Sequence, residues 1–164
     1  MKRAMSPLIK RYQGKPAIVD TNLLLLLWCA DFDPELLGSF KRLSSYSLED
    51  LGLLRNTLKH FPALRTTPHV LTEVSNLANS LPDWRKEEWA EFFGGKLEVI
   101  PEEWIPAKSI AAEPSFFLGL TDAGLGVLAT SHVIITMDFP LSNYLETMRL
   151  NVINFNHLRA MQWQ

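Results

Sequence analysis

The sequence predicts an α/β fold built on a parallel sheet, and three observations lead to it. The apolar triplet Ala17, Ile18, Val19 reads as a buried strand, and Leu23–Trp28 reads as the buried face of the helix that follows. The pattern returns near the end of the chain, where Val133–Met137 is the strongest strand and Asp138 stands at its carboxyl end as Asp20 does in the first. Between these two units lie segments of helical spacing, the arrangement expected of strands joined by helical crossovers. In such sheets ligands gather at the carboxyl ends of the strands.

Taken in order, residues 1–15 form a basic arm and residues 16–164 a single domain, in keeping with a chain of 164 residues. The arm holds Lys2, Arg3, Lys10, Arg11 and Lys15 and no acid, so it suits contact with phosphates as well as a solvated tail. Lys10, Arg11 and Lys15 are its candidate substrate-binding residues. A helix over 21–30 ends at the Asp-Phe-Asp-Pro turn of 31–34. Leu51, Leu54, Leu58 and Phe61 mark another helix, opened by Ser47 and Asp50 in a capping box and stopped by Pro62. A very short strand is expected at 66–68.

Val70, Val74, Leu77 and Leu81 then space a helix whose apolar stripe includes Glu73. Trp84, Trp89, Phe92 and Phe93 form the face of the next, expected to end at Gly94–Gly95 and to give way to a strand over 97–100. Thr121 is expected to cap a helix beginning at Asp122, in which Gly124 and Gly126 permit close packing or close approach of a ligand. After Asp138, Leu141, Tyr144, Leu145 and Met148 give a short helix, and residues 151–155 a last strand.

The composition excludes several classes. One cysteine, Cys29, allows no internal disulfide and is too few for a zinc cluster, and His60, His69, His132 and His157 are scattered. No apolar stretch is long enough to span a bilayer and no signal peptide is evident, so a cytoplasmic protein is expected. Phosphate-loop, dinucleotide, zinc-protease and serine-hydrolase motifs are absent.

What remains is four carboxylates, Asp20, Glu73, Asp122 and Asp138, each at a strand end or beside an apolar helix stripe. Two carboxylates about 4 Å apart repel by roughly 4 kcal/mol at an effective dielectric near 20. Protons or hard divalent cations must relieve such a cluster, and all-oxygen ligation suits Mg²⁺ or Mn²⁺. A metal-bound water could then attack a phosphodiester. Thr136, two residues before Asp138, shares its face and could hold a carboxylate or a ligand.

The segments IVDTN (Ile18–Asn22), LTEV (Leu71–Val74), TDAGLGVLA (Thr121–Ala129) and TMD (Thr136–Asp138) together resemble those of the PIN-domain nucleases. The resemblance implies a three-layer α/β/α fold with about five parallel strands in order 3-2-1-4-5. It also implies metal binding and catalysis by Asp20, Glu73, Asp122 and Asp138, with Asn22, Thr21 and Thr136 supporting. The activity it implies is metal-dependent hydrolysis of single-stranded RNA. Many small members are toxins, usually homodimeric and inhibited by a small antitoxin protein. Two departures stand out: residues 31–61 lengthen the interval from Asp20 to Glu73, and Gly124 and Gly126 replace larger residues. A DNA-directed or structure-specific nuclease, and a non-catalytic RNA-binding scaffold on the same fold, are the alternatives.

Overall fold

A computed structural model describes residues 6–162. Lys2 and Arg3 of the basic arm lie outside the described residues. Four strands form one sheet: β1 (Ala17–Val19), β2 (Leu64–Arg65), β3 (Val133–Thr136) and β4 (Val152–Asn154). Their order is β2-β1-β3-β4 and every pairing is parallel. Ala17 lies beside Leu64 on one side and beside Val133 on the other, which makes β1 and β3 the central strands. All residues of both are buried, as a parallel sheet covered on two faces requires.

Among the described residues, ten helices connect and cover the strands: α1 (Pro7–Tyr12), α2 (Thr21–Phe32), α3 (Leu36–Ser39), α4 (Leu48–Leu58), α5 (Pro68–Ala78), α6 (Lys86–Val99), α7 (Ala107–Ala111), α8 (Leu120–Leu128), α9 (Phe139–Thr147) and α10 (Phe155–Gln162). Short 3₁₀ turns occupy Lys41–Leu43, Asp83–Arg85 and Pro114–Leu118. Helix α2 is buried along almost its whole length, so it sits inside the molecule and packs against α5. Its far end carries Asp31 and Asp33, unfavourable beside a helix C-terminus. Arg55 and Lys96 pair with Asp31, and Arg85 with Asp33, which neutralises that end and ties α4 and α6 to it.

The expected five strands in order 3-2-1-4-5 are not found: the sheet has four, in order 2-1-3-4. The expected strand over 97–100 is missing because α6 runs through Gly94 and Gly95 to Val99. Glycine weakens a helix interior by about 1 kcal/mol relative to Ala. The aromatic stripe offsets that: Phe93 meets Trp28 edge-on at 5.5 Å, and Trp89 and Phe92 lie 5.4 and 5.3 Å from Phe32. Helical spacing of large rings outweighs the β-propensity of the residues that follow. At that edge of the sheet only a single bridge, Thr66 to Glu102, extends the pairing.

Other expectations shift less. The basic arm is, over residues 7–12, a helix capped by Ser6 and begun by Pro7, with Ile9 and Tyr12 buried in the core. The capping box at Ser47 and Asp50 forms in both directions. Asp50 also receives both Nε and Nη2 of Arg159, and this two-pronged pair holds α10 against α4. Tyr144 is half-buried and Leu145 fully buried, whereas Met148 is exposed. Trp89 is buried, but Trp84 is 74 % exposed. Among the described residues, no helix is long and apolar enough to cross a membrane.

Candidate functional site

The carboxyl ends of β1 and β3 lie side by side, and the chain turns at each through an aspartate that caps the next helix. Asp20 Oδ1 accepts from the N–H of Leu23, and Asp138 Oδ1 accepts from the N–H of Leu141. Both therefore satisfy a helix N-terminus, the role a capping aspartate plays anywhere. Asp20 does more. Its Oδ2 accepts from the Thr136 hydroxyl and from the N–H of Met137 at 3.1 Å, joining β1 to the end of β3. Thr136 in turn accepts from the N–H of Asp138 at 2.9 Å.

Two helix acids complete the group. Glu73, on α5, receives the Thr21 hydroxyl at one oxygen and the Thr121 hydroxyl at the other, both at 2.7 Å. Thr121 was expected to cap α8, but that helix begins two residues earlier than expected, at Leu120, with Gly119 at φ 99° in the capping position. A residue with a side chain would be strained there, so glycine sets the turn and frees the threonine for Glu73. Asp122 follows in the first turn of α8. Gly124 and Gly126 serve packing: a Cβ on Gly124 would lie 3.1 Å from Ile110, and one on Gly126 3.4 Å from Ser115.

Asp20, Glu73, Asp122 and Asp138, with Thr21 and Asn22, thus line one cavity of about 180 Å³, closed on another side by Leu118 and Leu120. No Lys, Arg or His is in its wall. Asp20 is buried, Asp122 half-buried, and Glu73 and Asp138 exposed. Thr136 stands behind Asp20 rather than in the wall. Lys10, Arg11 and Lys15 are not in the wall either, and Arg11 stacks on the Tyr12 ring instead.

Burial raises the carboxyl of Asp20 above its ordinary range, against the lowering effect of its three donors. Asp122 has less protection. Burial, followed by the charges of Asp138, Asp20 and Glu73, pushes it up to about 7. Asp122 therefore keeps its proton well above the usual carboxylate range. Sequence reasoning missed Thr121 because a threonine before an acidic first turn reads most simply as a cap. The glycine two residues earlier was the signal that could have reassigned it.

Among the described residues, no group of three or more His, Cys, Asp or Glu side chains is placed to hold a metal ion. Both oxygens of Asp20, both of Glu73 and one of Asp138 accept from protein donors. No family model, no curated protein and no solved structure matches the chain.

What fold and site define is a small α/β/α domain with a four-stranded all-parallel sheet and an acidic cavity at the strand ends. The PIN resemblance is corrected by the strand count and order, which differ from that family's five-stranded sheet. The metal-dependent endoribonuclease reading, with its toxin role and its alternatives on the same fold, falls with that topology and with the lack of a metal-holding cluster.

Proposed function

We propose that this is a ligand-binding protein whose acidic cavity takes an organic cation, a primary ammonium group entering in exchange for the proton on Asp122. The observation that carries this reading is a cavity lined by four carboxylates and by no cation. Such a site carries excess negative charge that a ligand cation neutralises. An ammonium suits it better than a metal ion. It donates three hydrogen bonds in directions it can adjust, and it needs no convergent set of oxygens at fixed short distances. Leu118 and Leu120 offer an apolar wall for the carbon stem behind the charge.

The test is calorimetric titration with 1,4-diaminobutane near pH 7 in buffers of different protonation enthalpy, repeated with K⁺, Mg²⁺ and Mn²⁺. Saturable diamine binding with proton release, weakened about tenfold or more by Asp122→Asn, is the expected result. Diamine binding no stronger than that of K⁺, or binding indifferent to Asp122→Asn, overturns the reading. Tight binding of Mg²⁺ or Mn²⁺ without the diamine replaces it with a metal site.

A further inference from the structure

On the other side of Asn22 lies a larger cavity of about 880 Å³, near the upper end of the roughly 300–1,000 Å³ usual for small-molecule sites. Its composition is the reverse of the acidic one: Lys41, Arg42 and Arg85 are in its wall and no carboxylate is. Leu36, Phe40 and Leu81 supply buried apolar surface, and the Trp84 indole stands exposed beside them.

The three cations have different duties. Arg85 is committed to the protein. It pairs with Asp33, and its guanidinium lies 4.6 Å from the Phe32 ring centre and 5.3 Å from that of Trp84. The guanidinium thus contacts both rings, and its Nε is buried without an acceptor among the described residues. Lys41 and Arg42 are exposed, and neither pairs with a carboxylate among the described residues.

We infer that this cavity binds a small aromatic anion, its ring stacked on Trp84 and its charge met by Lys41 and Arg42. An exposed indole offers a flat apolar surface to a flat partner, and stacking on such a ring contributes about 1–3 kcal/mol. Two unpaired cations beside it select for negative charge. A long polyanion fits less well. The neighbouring cavity, which shares Asn22 and Arg42, is also lined by Asp138, so an extended chain of phosphates would run into a carboxylate.

The ring anion can be an organic phosphate or an aromatic carboxylate, and two probes separate them: adenosine monophosphate and indole-3-acetate, each titrated calorimetrically into the full chain. At least one should bind saturably, and adenosine and inorganic phosphate should each bind about tenfold more weakly than the nucleotide if phosphate is the anion. Trp84→Ala and the double variant Lys41→Ala/Arg42→Ala should each weaken the bound probe about tenfold or more. All three side chains are exposed, so the variants should keep the parent melting temperature, which is measured alongside. Asp122→Asn should leave probe binding unchanged. The inference is overturned if neither probe saturates, if the Trp84 and Lys41/Arg42 variants bind undiminished, or if Asp122→Asn removes binding.

Discussion

Asp20 and Asp122 face the same cavity and carry the same chemical group, yet the protein treats them in opposite ways. Asp20, at the end of β1, is buried and receives three donors from two different elements. Asp122, on α8, has burial and three neighbouring negative charges pressing on it. The strand-end side of the cavity is a structural joint, its acid raised by burial against the pull of its three donors. The α8 side holds charge that nothing in the fold satisfies. A carboxylate's contribution to stability therefore depends on its donors, and its readiness for a ligand on their absence.

The comparison breaks most sharply at Asp20. Asp20→Ala should lose the cap of α2 and strand the Thr136 hydroxyl and the Met137 N–H, a loss of about 3 kcal/mol or more. In a domain of this size that lowers the melting temperature by about 6 °C or more, measurable by calorimetry. Asp122→Asn should do the reverse at pH 8. Because Asp122 is raised in the fold from its ordinary 3.8 to about 7, its protonated form belongs to the folded state. The favourable contribution is fully present below the unfolded value and is lost as pH rises through about 7. The variant should therefore melt higher than the parent at pH 8, by about 3 °C for each kcal/mol relieved, and the difference should vanish by pH 4.

Smaller effects sharpen the picture. Glu73→Gln should leave one of its two threonine hydroxyls facing an amide N–H, a loss of about 1 kcal/mol, and should lower the titration midpoint of Asp122 followed by carboxyl carbon NMR. Asp138→Asn should change stability least, within a few tenths of a kcal/mol, since asparagine caps a helix as well as aspartate. It should nonetheless shift the Asp122 midpoint downward, because Asp138 is the largest of the charges that raise it. A midpoint unmoved by both variants would assign the raised value to burial alone.

Much of this was legible from the chain. The two strand–aspartate–helix units carry their own boundaries: a β-branched run, an acid that caps, and an apolar helix. Their repetition was enough to bring Asp20 and Asp138 to one edge. Glu73 and Asp122 could be placed there because each borders an apolar stripe. The strand count was not legible, since Leu97, Val99 and Ile100 have strand-like side chains and their fate depended on the rings of Trp89, Phe92 and Phe93 packing onto α2. The fate of the carboxylate oxygens was legible only at Thr136, expected to hold a carboxylate and found on Asp20. Whether four acids converge on an ion or turn back onto hydroxyls and amides is decided by Thr21, Thr121 and Thr136, whose partners lie on other elements. The tie of the basic arm was hidden in two residues, Ile9 and Tyr12, too few to show a period.

The pairing order of the sheet has a consequence for how the chain is made. β1 is central, but the strand on its β3 side begins only at Val133. At about 5–20 residues per second, synthesis leaves β1 and the leucine-rich α2 without that neighbour for on the order of 10 seconds. Only β2, half-buried and two residues long, can pair with β1 in the meantime. Helix α2 can pack against α3, α4 and α5 once residue 78 is made, whereas the β3 side of β1 stays open until Val133 is synthesised.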